Sequence, residues 1–148
     1  METLTVNRFI ASNEAESEAA GRTIARALPR DAVVHLIGDL GAGKTFLVRA
    51  MAAELGADPA AVSSPTFAII HEYPLSTGAP IIHIDAYRLS EHRREWFEIG
   101  IPEILEGPGI KLIEWPKEAF REFETQPVEI EILVDESGTR VIEVKGLE

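Results

Sequence analysis

The sequence is 148 residues long and 45% hydrophobic, enough for one domain with a packed core and no need of disulfides or a structural metal. It has no cysteine, which excludes disulfides, a thiol nucleophile and thiolate zinc sites, and fits a reducing compartment. Fourteen Lys and Arg against twenty-five Asp and Glu give a formal net charge of -11, so the chain repels a phosphate backbone and autonomous binding of DNA or RNA is disfavoured.

Met1-Glu2-Thr3-Leu4 has neither the basic stretch nor the apolar segment of a signal peptide. No run approaches the ~18 apolar residues of a membrane span. The expectation is a soluble cytoplasmic protein without membrane association. Residues 4–10 (LTVNRFI) read as a strand, followed by Ser12 and Asn13 as caps of a helix to about Leu28, with Asn13 and Glu16 spaced as a capping box. AVVHLI (32–37) is a buried strand that stops at Gly38, and a helical pattern runs from about Lys44 to Leu55. Thr66 to Tyr73 and Pro80 to Asp85 read as neighbouring strands around a Ser76-Thr77-Gly78 turn. Ser90 to Glu98 reads as a helix with Trp96 and Phe97 turned inward, and Ile110 to Glu114 as a short buried strand closed by Trp115-Pro116. VEIEILV (128–134) and RVIEV (140–144) alternate around Asp135-Glu136-Ser137-Gly138 as a hairpin. The order of elements is α/β.

Gly38-Asp39-Leu40-Gly41-Ala42-Gly43-Lys44-Thr45 fits GxxxxGK[ST] without mismatch, between a strand and a helix. Glycines let successive backbone N–H groups face a phosphate, and the helix N-terminus adds partial positive charge. In that pattern Lys44 reaches the outer phosphates and the Thr45 hydroxyl ligates Mg2+. The alternative, a glycine-rich turn capping an ordinary helix, leaves Lys44-Thr45 unexplained.

The acceptor of the phosphoryl group is less defined. No NKxD string for guanine is present, and Asp135-x-x-Gly138 reads better as a turn than as a GTPase switch. A small-molecule kinase is the competing reading. Its only candidate cationic lid is Arg88 with Arg93 and Arg94, a cluster more often found on a solvated helix face.

Asp85 ends its strand as a Walker B carboxylate would, but Ala86, Tyr87 and Arg88 follow where a second acid is often found. His83 and Asp85 share one face of that strand, with Ile82 and Ile84 on the other. His83 alone reads first as a structural residue. Glu114 ends an apolar strand, where parallel sheets place ligand-contacting residues, and a metal is a good partner for a buried carboxylate there. Trp115 is either beside the site or a plain core tryptophan.

GDLGAGKT (38–45), SSPTF (63–67), HIDAYRL (83–89) and IEWP (113–116) together resemble the TsaE family (formerly YjeE), ATPases of bacterial tRNA threonylcarbamoyladenosine synthesis. The resemblance implies a P-loop NTPase-like three-layer α/β fold, with a mainly parallel sheet and the C-terminal β-hairpin. It implies ATP/ADP and Mg2+ as ligands and a weak ATPase activity beside TsaB-like and TsaD-like partner proteins. In that family TsaD carries the transfer of a threonylcarbamoyl group to N6 of adenosine 37 in tRNAs that read ANN codons, so this chain would meet tRNA only through the complex. Carried onto this sequence, Gly38 to Thr45 form the phosphate cradle and Thr45 and Glu114 are the magnesium ligands. Asp85 orients water or the metal, Thr66 is a switch-like threonine near the γ-phosphate, and Trp115 lies behind Glu114. Asn13, Glu14 and Arg140 are placed near the adenosine end.

Overall fold

A computed structural model describes residues 5–39, 41–58, 60, 70–87, 93–117, 120 and 126–147. The elements in chain order are β1 (Thr5–Ala11), α1 (Glu14–Ala27), β2 (Val33–Ile37), α2 (Lys44–Glu54), β3 (Ile70–Leu75), β4 (Gly78–Asp85), α3 (Arg93–Ile99), α4 (Ile101–Glu106), β5 (Lys111–Glu114), β6 (Val128–Val134) and β7 (Arg140–Leu147). The seven strands form one sheet in the order β1-β7-β6-β2-β5-β4-β3.

The sheet is parallel only through its centre, across β6, β2, β5 and β4. Both margins are antiparallel, β3 on β4 at one side and β6-β7-β1 at the other. The expected C-terminal hairpin is present, and β1 adds to it from the far end of the chain.

Period-two alternation sends side chains to two cores. Val34, Leu36, Ile81, Leu112, Ile130 and Ile132 pack with Ile24, Leu47, Val48 and Met51 under α1 and α2. Ile82, Ile84 and Ile113 pack on the opposite face with Trp96, Ile101 and Leu105 of α3 and α4, and with Phe120. The sheet is thus covered on both faces, the three-layer arrangement. Trp96 is fully buried with its ring at 4.9 Å from that of Phe120. Phe97 is 51% exposed, contrary to the expectation that both aromatics turn inward. Consecutive helical residues are about 100° apart, so one short helix cannot bury both against one sheet. The sequence reading also missed α4, where Gly100 in the left-handed region and Pro102 in the first turn start a helix rather than interrupt one.

Two local predictions appear at atomic detail. Asn13 caps α1 by accepting from Glu16 N at 2.9 Å, and Glu16 accepts in return from Ser12 N at 2.8 Å. Between β6 and β7, Asp135 accepts from Ser137 Oγ, Ser137 N and Thr139 N, the bonding of a turn. The Ser137 hydroxyl and these backbone donors hold the Asp135 carboxyl below its ordinary range.

Candidate functional site

The loop between β2 and α2 is built by exclusion of side-chain atoms. A Cβ on Gly38 would sit 2.9 Å from the Ile132 carbonyl oxygen of β6, so only glycine lets the loop leave the sheet there. Gly43 caps α2 with φ of 104°, in the left-handed region, and among the described residues no side-chain cap bonds the start of the helix. Nor does that turn carry an acidic residue. The N-terminus of α2 therefore keeps both its donors and its positive potential for an anion.

Lys44 lies along this loop and is 5% exposed. Its ammonium donates to the carbonyls of Gly38 and Asp39, the latter at 3.1 Å, and its Nζ is 3.9 Å from the centre of the Trp115 ring. Burial pulls the Lys44 ammonium below the ordinary lysine value, against the opposing charges of Glu114, Asp39 and Asp85. Trp115 reaches this position with φ of 57°, a left-handed conformation that costs a non-glycine residue about 1–3 kcal/mol. Tyr87 flanks it, ring to ring at 5.0 Å. Trp115, Tyr87, Gly38, Asp39, Gly41 and Ala42 share the wall of a cavity of about 1040 Å³, which extends over the ends of β2 and β6.

Parallel pairing sets the acids side by side: Asp85 of β4 is in register with Glu114 of β5, and Glu114 in turn with Leu36 of β2. Glu114 is 5% exposed, and Thr45 Oγ1 donates to it, at 3.2 Å from Oε1 and 3.1 Å from Oε2. Two cis oxygen ligands of an octahedral Mg2+, each 2.0–2.1 Å from the ion, are about 2.9 Å apart. Thr45 and Glu114 thus fit a hard divalent cation in donor type and in spacing. Among the described residues there is no cluster of three or more His, Asp or Glu that could hold a metal. Asp85 is half-buried, and its Oδ1 accepts from Tyr87 N at 3.0 Å, which ties the end of β4 into a turn.

The other expected residues fall in three groups. Arg140 Nε donates to the Ala42 carbonyl at 2.8 Å and lies against Gly43, so β7 braces the phosphate loop. Glu14 and Arg140 line a small cavity of about 80 Å³ with Ser17, Gly43, Phe46 and Leu47. Asn13 is not in that lining; its side chain is engaged as the helix cap. Leu40, Thr66 and Arg88 lie outside the described residues.

Two residues that the sequence reading left without a role form a file that ends on Glu114. His83 Nε2 is 2.6 Å from Glu114 Oε2, and the Tyr73 hydroxyl is 2.9 Å from His83 Nδ1. The shared parity of His83 and Asp85 was the one available signal.

A sequence profile described as Threonylcarbamoyl adenosine biosynthesis protein TsaE matches residues 11–142. The chain belongs to the TsaE family. It is 34% identical to a tRNA threonylcarbamoyladenosine biosynthesis protein TsaE of Rickettsia felis over 137 residues, 92% of this chain and 78% of that one. It is 32% identical to the TsaE protein of Treponema pallidum, over 93% of this chain and 98% of that one. The crystal structure of Bacillus subtilis YdiB superposes with a TM-score of 0.72 at 26% identity, covering 100% of this chain and 90% of that chain. The TsaE match spans the phosphate loop, both carboxylates and Arg140, so the site described above lies wholly inside the family's region.

Proposed function

We propose that this TsaE-family chain binds and slowly hydrolyses ATP with Mg2+ as an accessory subunit of a complex with TsaB-like and TsaD-like proteins, in which the TsaD-like partner transfers the threonylcarbamoyl group to tRNA. The observation that carries this reading is the contact of Thr45 with Glu114 at the foot of an open phosphate loop. It joins a phosphate cradle to a cation-compatible oxygen pair. The chain acts as a single domain.

Each residue has its own role in this reading. The N–H groups of Gly41 to Thr45 and the α2 N-terminus hold the β- and γ-phosphates, and Lys44 places its charge on them. Thr45 and Glu114 would hold Mg2+, which when bound neutralises charge that develops on the phosphate oxygens. Asp85, one strand away from Glu114, orients the attacking water or a metal-bound one. Trp115 and Tyr87 wall the site on one side and exclude bulk water. Thr66 senses the γ-phosphate, and Arg140 and Glu14 stand toward the nucleoside end, with Asn13 fixing the helix that carries Glu14. Leu40 belongs to the same cradle.

A net charge of -11 leaves tRNA to the partners, and the chain reaches it through them in the cytoplasm. A kinase of small molecules has less support: Arg94 is 91% exposed and 3.5 Å from Glu98 on the same helix face, the geometry of a solvated ion pair.

The test is a pull-down with TsaB-like and TsaD-like proteins, together with ATP consumption measured with and without them. Association and a partner-dependent rise in hydrolysis are expected. No association, together with phosphorylation of a small molecule, would overturn the reading in favour of the kinase.

A further inference from the structure

Glu114 is a buried carboxylate whose orientation must be set by its donors. Thr45 supplies one proton, shared between both oxygens at 3.1 and 3.2 Å, and so restrains the carboxylate plane weakly. The 2.6 Å contact from His83 falls on Oε2 alone. A carboxylate only accepts, so Nε2–H of His83 is the donor, and in the neutral imidazole Nδ1 is then the acceptor. The Tyr73 hydroxyl, 2.9 Å away, donates to that Nδ1. His83 is 0% and Tyr73 2% exposed, so water does not compete for either bond.

The three side chains come from adjacent strands, Tyr73 on β3, His83 on β4 and Glu114 on β5. The chain of donors runs one way, Tyr73 to His83 to Glu114. It ties down Oε2 and leaves Oε1, with Thr45 Oγ1, as the oxygen pair that the imidazole does not occupy.

We propose that His83, its tautomer fixed by Tyr73, is a positioning residue that orients the Glu114 carboxylate for the cation. The inference rests on the reading of Thr45 and Glu114 as the magnesium-holding pair. A ligand oriented from behind by a hydrogen-bonding partner typically loses 10- to 100-fold in metal affinity or activity when that partner is removed.

The experiment measures ATP binding by calorimetry, once in EDTA and once across a Mg2+ titration, on the full chain. For His83→Ala the Mg2+ midpoint should rise about 10- to 100-fold while binding in EDTA is unchanged. His83→Gln, whose amide N–H can reach toward Oε2, should restore most of the midpoint. Tyr73→Phe, which keeps ring and volume, should raise it about 2- to 10-fold, the worth of one neutral hydrogen bond, and carries the test if His83→Ala does not fold. A wild-type midpoint in His83→Ala or, failing that variant, in Tyr73→Phe would overturn the proposal. So would an equal loss of affinity in EDTA, which marks a purely structural role. If Mg2+ has no effect on the wild-type protein, the cation-site reading itself falls. If Glu114→Ala abolishes the Mg2+ effect and His83→Ala leaves it intact, only the positioning role falls.

Discussion

The Lys44 ammonium lies 3.9 Å from the centre of the Trp115 ring, so the cation of the phosphate loop and an indole are in direct contact. A cation over an aromatic face is worth about 0.5–2 kcal/mol, and it gives the loop an optical reporter. The chain has two tryptophans, and Trp96 is fully buried in the other core. In the Trp96→Phe protein, saturating ATP should change the emission of Trp115 as phosphate draws the ammonium away. An unchanged spectrum at saturation would count against placing the phosphates there.

Lys44→Ala should weaken ATP binding about 10- to 100-fold, the worth of a charge-assisted hydrogen bond of about 1.5–3 kcal/mol. Calorimetry on the folded variant checks this. Wild-type affinity would remove Lys44 from the phosphate site.

Glu114→Ala is expected to lower Mg2+-dependent hydrolysis by at least ~100-fold, because a bound cation supplies several kcal/mol of transition-state stabilisation. Circular dichroism should show the fold kept. Full activity in a partner-stimulated assay would reject Glu114 as a ligand.

Gly38→Ala adds a Cβ at 2.9 Å from the Ile132 carbonyl oxygen and 3.2 Å from Ala42 Cβ. The first neighbour is strand backbone and cannot swing aside. A loss of about 1–3 kcal/mol in stability is expected, with weaker nucleotide binding as the loop shifts. Thermal unfolding that matches wild type would show that the loop tolerates the added carbon.

Lys111 tests the opposite end of β5. It is 1% exposed and donates to the Asp31 carbonyl at 3.1 Å and the Gly107 carbonyl at 2.6 Å. Lys111→Met should destabilise the fold by about 2 kcal/mol, through two carbonyls left unpaired, and should not alter nucleotide affinity. Burial pulls the Lys111 ammonium below its ordinary 10.5, against the charge of Asp31. Between the lowered value and 10.5 the unfolded chain binds more protons than the folded one, so this residue's contribution to stability increases as pH rises through that window. The gap between wild type and variant should widen toward pH 10.5 in urea unfolding; a gap that narrows would reverse the sign.

The glycine loop between β2 and α2 was legible in the sequence because its pattern is written in consecutive residues. The capping box at Asn13 and the Asp135 turn were legible for the same reason. Asp85 and Glu114 could be nominated from strand ends, but their adjacency needed the parallel pairing of β4 with β5, which residue order does not state. Tyr73 was invisible as a site residue: it alternates like any core aromatic, and only the antiparallel pairing of β3 with β4 brings it to His83. The β6–β7 hairpin was legible from its turn, whereas the docking of β1 on β7 was not, because period-two alternation does not name a strand's partner.

Arg140 joins the phosphate loop to a strand that is made nearly a hundred residues later, since its bond to the Ala42 carbonyl spans 98 positions. The strand that carries it also pairs with β1, so a strand made before the loop docks on one made well after it. A nascent chain therefore has the loop sequence long before it has the brace and the flanking sheet. Contacts of such separation are slow to close, and the loop stays unbraced until synthesis has passed β7. The nucleotide site proposed above is in this way complete only once β7 has joined the sheet.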